Sequence, residues 1–223
     1  MKFSQILHNQ SLRIISFLIL CFLYSFFKDD PVSTFLKPLP IVFCLFILLN
    51  TQRINAAKWL VYSLSCAIIG DILLDLGEDW IQIGALPFLA STAFMAVAFK
   101  KRLSATLHRA SLLNQSLILI LVALPFLCLF NWLISYSTEA ANTGSVLFTL
   151  SVILITTAIT NLIFNKQERP ILLKLILGLM GALGIVANYV LFSIDLYVVP
   201  IPRDLVIQVY YWGTALVVWS FMK

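Results

Sequence analysis

Charged residues are scarce in this 223-residue chain, and no stretch is polar enough to form a soluble domain. Charged side chains make up 11% of the sequence and hydrophobic ones 61%, whereas a soluble domain carries about 25% charged residues. Apolar runs fill nearly the whole length, which indicates an integral membrane protein with one domain over residues 1–223. The net charge of +5 therefore bears on membrane topology and does not indicate a nucleic-acid partner.

Histidines and paired cysteines are also few. The two histidines, His8 and His108, lie in the basic flanks of predicted helices. The four cysteines all fall inside apolar runs without a CxxC spacing, so we expect small apolar side chains and no disulfide framework. Nucleophile-elbow, phosphate-loop, zinc-protease and dinucleotide motifs are all missing. A histidine-based metal site and a Ser-His-Asp triad are therefore nearly excluded.

Eight apolar runs of the sequence are candidates for membrane-spanning helices. A helix needs about 20 apolar residues to cross, and only helices or closed barrels satisfy the backbone polar groups in lipid. The uninterrupted length of the runs favours an all-α fold, a bundle of eight transmembrane helices. The predicted spans cover approximately residues 11–27, 34–50, 57–76, 80–99, 112–136, 144–164, 170–199 and 204–222.

The distribution of basic residues predicts the orientation of these spans. Lysine and arginine concentrate before the first run and in every second gap, while the alternate gaps hold only Lys28, Lys37 and Arg203. The positive-inside rule then places both termini in the cytoplasm. The first run lacks a small-residue cleavage site and is predicted to remain as a span. The compact chain without long loops suits a bacterial inner membrane.

Glycine and proline predict where helices pack closely or change direction. Gly178, Gly181 and Gly184 form a small-residue stripe, which in lipid usually marks close helix packing. Pro38, Pro40 and Pro87 are expected to start or bend helices.

Several polar residues inside the spans fall toward the same, non-cytoplasmic half of the bilayer. They are Lys37, Asp71, Asp75, Asn188, Asp195, Arg203 and Asp204. Asp71 and Asp75 are four residues apart, so on a helix they share one face. A carboxylate at the bilayer centre costs about 2.5–3.5 kcal/mol, and less toward the interface. We therefore expect these residues to converge on a protein or water-filled interior.

Simpler interpretations apply to two of them. Asp75 is followed by Glu78 and Asp79, which favours a solvated helix end at the interface. Lys37 could extend its ammonium to the outer headgroups. Asp71 and Asp195 are embedded in apolar sequence, and for them a functional role is favoured.

Physical chemistry alone leaves two functions open for such acids. A low dielectric favours the neutral form of a carboxyl group, and a nearby cation favours the charged form. Two carboxyl groups in different environments can thus supply one proton donor and one base. In an enzyme they would serve acid–base chemistry on a lipid-like substrate, and in a transporter they would form a proton relay.

A set of short motifs carries a family resemblance. It comprises KPLP at 37–40, Gly70-Asp71-Ile72-Leu73-Leu74, Gly84 with Phe88, Ser193-Ile194-Asp195, and Tyr210-Tyr211. In their order, spacing and span placement they resemble the YhhN family of eight-span membrane proteins, which contains the lysoplasmalogenases. The resemblance covers about residues 34 to 220. The chain departs from the family pattern at Thr92, where the family usually carries a histidine in the fourth span.

The resemblance implies an ether hydrolase that cleaves the vinyl ether of lysoplasmalogens to a fatty aldehyde and a glycerophospho-headgroup. It implies catalytic roles for Asp71 and Asp195, as acid and base in either order. It implies substrate binding by Lys37, Asp75, Thr92, Asn188, Tyr210 and Tyr211. No metal or organic cofactor is required, and the expected partners are a lysophospholipid and the membrane lipids. A proton-coupled transporter and a lipid-binding relative with altered catalysis are the alternatives.

Overall fold

The computed structural model describes residues 10–27, 32–51, 55–76, 80–103, 112–136, 139–164 and 169–222, and within these ranges the regular secondary structure is entirely helical. The described helices are α1 (Gln10–Phe26), α2 (Ser33–Leu36), α3 (Leu39–Thr51), α4 (Asn55–Leu74), α5 (Ile81–Leu103), α6 (Leu112–Ile134), α7 (Glu139–Phe164), α8 (Arg169–Tyr197) and α9 (Arg203–Phe221). His8 and His108 lie outside the described residues.

Each predicted span coincides with helix in the structure, with boundaries that differ by a few residues. The described residues contain six segments that are long and apolar enough to cross a membrane, and α1 is a shorter apolar helix. The integral membrane assignment is therefore supported, while eight crossings and the cytoplasmic termini stay predictions. The second span is not one continuous helix, because α2 ends at Leu36 and α3 begins at Leu39.

Helix α9 belongs neither to the six long segments nor to the shorter apolar class. It begins with Arg203 and Asp204, and most of its later residues are buried by neighbouring helices. Burial by protein explains why this helix can carry polar side chains, since its surface faces other helices more than lipid. Its neighbours are α8, α3 and α1.

The helix contacts close into a ring. Helices α3, α4, α5, α7, α8 and α9 touch in that order, and α9 returns to α3. Helix α1 packs beside α3 and α9, and α6 packs beside α7 and α8. Side chains from helices that are not neighbours in the ring, such as α4 and α9, therefore meet across its interior.

Glycines bring α8 and α9 into close contact, as the small-residue stripe predicts. A Cβ on Gly181 would lie 2.6 Å from the backbone nitrogen of Val217 and 2.7 Å from the carbonyl oxygen of Gly213. A Cβ on Gly184 would lie 3.0 Å from Cα of Gly213. We call Gly181, Gly184 and Gly213 the glycine seam. Only residues without side chains let two backbones approach this closely.

Candidate functional site

Asp75 accepts charged hydrogen bonds from two cations. The Lys37 ammonium lies 2.6 Å from Oδ1 of Asp75, and Nη2 of Arg203 lies 2.8 Å from the same oxygen. The side chains of Asp75 and Lys37 are 4% and 8% exposed, whereas that of Arg203 is 62% exposed. Asp75 is thus not the solvated helix end that its acidic neighbours favoured, and Lys37 does not extend to the headgroups. The reason is tertiary, since α9 delivers Arg203 and the α2–α3 junction delivers Lys37.

Asp71 lies one turn earlier on α4 and has different surroundings. It is 2% exposed, and its one hydrogen bond among the described residues comes from the Tyr210 hydroxyl to Oδ2 at 3.4 Å. Lys37 and Asp75 lie within electrostatic range of Asp71, and no described hydrogen bond or ion pair joins either of them to it. The hydrogen bond joins α4 to α9 across the interior of the ring. We call Lys37, Asp71, Asp75, Arg203 and Tyr210 the polar cluster.

Gly70 explains how Tyr210 is oriented toward Asp71. A Cβ on Gly70 would lie 2.6 Å from the Phe88 ring, so the absence of a side chain makes room for that ring. Phe88 then meets Tyr210 edge to face, with ring centroids 5.7 Å apart and an interplanar angle of 76°. Such aromatic pairs hold both rings in a defined orientation. The Gly70-Asp71 dipeptide therefore supplies both the acid and the space for its aromatic support.

Tyr211 fixes the backbone that carries Lys37. Its hydroxyl donates to the carbonyl oxygen of Lys37 over 2.6 Å, and Tyr211 is fully buried. The Tyr24 ring from α1 packs edge to face against Tyr211, with centroids 5.9 Å apart. The Ile41 amide donates to the Pro38 carbonyl, which leaves the Lys37 carbonyl to Tyr211. This hydrogen bond attaches the break between α2 and α3 to α9.

Thr92 is hydrogen-bonded to Tyr189 across the ring. Its Oγ1 donates to the Phe88 carbonyl at 2.9 Å and lies 2.6 Å from the Tyr189 hydroxyl. Since a hydroxyl has one proton, Tyr189 is the donor in the second contact. Tyr189 also lines a narrow cleft among α6, α7 and α8. The remaining lining residues are Phe126, Leu147, Phe148, Ser151, Val190 and Ser193.

Asn188 and Asp195 make contacts other than those with the polar cluster. The Asn188 amide donates to the Val206 carbonyl at 2.7 Å and so ties α8 to α9. Oδ1 of Asp195 accepts from the Ile201 amide at 2.8 Å, which closes the loop between the two helices. No described hydrogen bond joins Asp195 to Asp71. In this arrangement Asp195 supports the loop that precedes Arg203.

The donor set of this region holds little that a metal ion would prefer. Within the described ranges, no three His, Cys, Asp or Glu side chains gather as ligands. All four cysteines are free. The chemistry that the described groups themselves offer is proton transfer and the binding of anions.

The two aspartates suit different tasks. The Asp75 carboxylate contacts two cations directly, so removing its charge would leave both without a partner. Among the described residues Asp71 forms no ion pair and has one long hydrogen bond, so it can gain or lose a proton without breaking a described ion pair. Proton exchange with a substrate is therefore better matched by Asp71 than by Asp75.

Two participants were not selected from the sequence. Arg203 was noted as a polar residue at the start of a span but was not assigned to the site. Tyr189 carried no local signal, because a tyrosine in an apolar run usually packs in the core or at the interface. Only its hydrogen bond with Thr92 across the ring associates Tyr189 with the candidate site.

Comparison with known proteins gave one match. A family model described as the YhhN family matches residues 32–221. Neither the comparison with curated proteins nor that with solved structures returned a match.

Proposed function

The chain belongs to the YhhN family, and on that premise we propose that it is a membrane-embedded hydrolase that cleaves the vinyl ether of lysoplasmalogens by carboxyl acid–base catalysis. The observation that carries the proposal is Asp71, a buried acid in the interior of the helix ring that forms no ion pair with any described residue. The products are a fatty aldehyde and a glycerophospho-headgroup. The resemblance to lysoplasmalogenases supplies the substrate class.

The first step is proton transfer to carbon. Protonated Asp71 gives its proton to the vinyl carbon that is not bonded to oxygen, and the carbon attached to oxygen becomes an oxocarbenium ion. The Asp71 carboxylate left behind stabilises this cation electrostatically, as carboxylates do in glycoside hydrolysis. Tyr210 holds the carboxylate oxygen Oδ2 by its hydroxyl.

The second step adds water. A base removes a proton from water while the oxygen bonds to the cationic carbon, which gives a hemiacetal. The hemiacetal collapses to the aldehyde, and the released glycerol oxygen takes a proton. Asp71, ionised by the first step, is well matched to the role of base, and Asp195 as a second carboxyl stays a prediction. Lys37, Asp75, Thr92, Asn188, Tyr210 and Tyr211 remain the proposed substrate-binding residues, directly or through the groups they hold.

The substrate enters from the bilayer with its tail among the apolar helices. The narrow cleft lined by Phe126, Phe148 and Tyr189 is mainly apolar, and its helices would have to separate to admit part of an alkenyl chain. The headgroup lies at the end of the bundle where Arg203 is exposed. This placement brings the ether bond between tail and headgroup to the depth of Asp71.

The test is aldehyde release by the purified protein in detergent with lysoplasmenylethanolamine. Asp71→Asn is expected to lower the rate at least about a hundredfold, the usual contribution of general acid–base catalysis. Asp195→Asn tests the second carboxyl in the same assay, and an unchanged rate removes Asp195 from the mechanism. Glu168→Gln is the matched control, since sequence predicts it on the opposite side of the membrane. Full activity of Asp71→Asn would overturn the proposal.

Proton-coupled transport is the second candidate, because a buried acid inside a closed ring of helices also suits a proton relay. Proton-coupled uptake into proteoliposomes without aldehyde release would favour it. The departure at Thr92 also leaves room for a lipid-binding relative with altered catalysis, which would bind lysolipid and release no aldehyde.

A further inference from the structure

The ion-paired part of the polar cluster carries excess positive charge. Lys37 and Arg203 each contribute one positive charge, and both contact the same oxygen of Asp75. One carboxylate neutralises one of the two cations, so the three side chains together retain one positive charge. A phosphodiester carries one negative charge and would balance it.

Both cations keep donors that no described protein group uses. The Arg203 guanidinium has five N–H donors in a planar fork, and its one described hydrogen bond goes to Asp75. The Lys37 ammonium has three N–H donors, and its one described hydrogen bond goes to Asp75 as well. Because Lys37 is 8% exposed, water has little access to its remaining donors. A planar guanidinium beside an ammonium is a suitable pair for phosphate oxygens.

We propose that Arg203 binds the phosphate of a lysophospholipid headgroup, with Lys37 as a second donor and Asp75 as the residue that positions both. Arg203 is 62% exposed at the start of α9, so the N–H groups that no described residue uses are accessible to a headgroup. Asp75 holds the guanidinium against the bundle at 2.8 Å and thus limits its rotation. A fixed guanidinium loses less entropy when the phosphate binds.

The spacing along α4 fits this ligand. Asp75 directly follows the last residue of α4 and comes four residues after Asp71, and four helical residues rise about 6 Å along the axis. In a lysoplasmalogen the glycerol unit separates the phosphate from the ether oxygen and spans about 6 Å when extended. A phosphate at the level of Asp75 therefore places the ether bond near Asp71. The inference rests on the proposed function for the class of lipid, but binding can be measured without hydrolysis.

The test measures binding to the purified full chain in detergent, by the change in tryptophan fluorescence. The first ligand is ester-linked lysophosphatidylethanolamine, which has no vinyl ether, and the second is monoacylglycerol of the same chain length, which has no phosphate. Arg203→Gln is expected to weaken lysophospholipid binding about tenfold to a hundredfold, the contribution of a charged hydrogen bond. Binding of monoacylglycerol should not change. Lys100→Gln removes an exposed cation near the C-terminal end of α5. It should change the binding of neither ligand.

Arg203→Lys provides a second test, since it keeps the positive charge and loses the planar fork of N–H donors of the guanidinium. It should restore part of the lysophospholipid affinity. Equal weakening of both ligands in Arg203→Gln, or no weakening of either, would overturn the proposal.

Glycerophosphoethanolamine, the headgroup without a tail, distinguishes a lipid from a soluble phosphate ester. If it binds as tightly as the lysolipid, the lipid assignment is wrong. Selective loss of phosphate-dependent binding together with no aldehyde release would uphold this site and refute the proposed hydrolase.

Discussion

The glycine seam and the polar cluster share helix α9 but are held together by different forces. At the seam, Gly181 and Gly184 let the backbone of α8 approach that of α9 near Gly213, and the contact is one of shape. In the polar cluster, Asp75 gathers Lys37 and Arg203 from distant parts of the chain, and the contact is one of charge.

The two regions differ in the substitutions that they can tolerate. Close packing in lipid depends on dispersion contacts between small residues, and any added atom must displace backbone. A buried charge network depends on every partner being present, since one unpaired ion inside the protein is costly. The seam therefore fixes where α9 lies, and the polar cluster uses that position to assemble a site.

The largest expected effect comes from breaking the charge network. Asp75→Ala leaves the buried Lys37 ammonium without its counter-ion and should lower the free energy of unfolding by about 3–5 kcal/mol. Unfolding in mixed detergent micelles measures it. The double variant Lys37→Met, Asp75→Leu should recover most of the loss, because it removes both charges. A single variant as stable as the unaltered protein would show that the pair contributes little.

The seam is tested next by adding atoms to it. Gly181→Val introduces a Cβ within 2.6 Å of the Val217 nitrogen, and overpacking of this kind costs about 1–3 kcal/mol. Ala187→Val, at an exposed position of the same helix, is the control and should be nearly neutral. If the two variants unfold alike, the close approach of α8 and α9 is not a constraint.

A smaller effect is expected at Tyr211, whose hydroxyl joins α9 to the α2–α3 junction. Tyr211→Phe removes the hydrogen bond to the Lys37 carbonyl, and the loss should be about 1 kcal/mol. Tyr136→Phe, which removes a hydroxyl from an exposed side chain, should leave stability unchanged. A larger effect of the control than of Tyr211→Phe would contradict the role of this hydroxyl in holding the α2–α3 junction.

The smallest effect concerns a neutral hydrogen bond. Ser63 on α4 and Ser91 on α5 are buried with their hydroxyl oxygens 3.0 Å apart. A double-mutant cycle with Ser63→Ala and Ser91→Ala should give a coupling of about 0.6 kcal/mol, the average for such pairs in a membrane protein. A coupling energy as large as that between Lys37 and Asp75 would contradict the expected difference between charged and neutral contacts.

Much of the helical layout follows from local sequence. The positions of the helices were predictable because backbone satisfaction in lipid requires helix wherever an apolar run is long. The close packing at Gly181 and Gly184 was predictable because a stripe of glycines at helical spacing removes side chains from one face. The burial of Asp71 was predictable because a lone acid in apolar sequence is costly unless it faces the interior.

The partners of these residues were not predictable in the same way. Asp75 looked like a solvated helix end because its sequence neighbours are acidic, yet its spatial neighbours are Lys37 and Arg203. Asp195 looked like a partner of Asp71, and its described contact is with the Ile201 amide. Tyr189 carries no local signal, and its contact with Thr92 depends on the packing of α5 against the rest of the ring.

Composition and motif order along the chain are enough to identify a helical membrane protein of the YhhN family with an energetically costly acid at residue 71. Those properties depend on the composition and length of individual runs and on motifs along the chain, which are local quantities. The groups that surround this acid depend on helix packing, since the closure of six helices into a ring sets which helix faces meet. The separation of Asp71 from the ion pairs of Asp75 arises there, and so does the site proposed for Arg203.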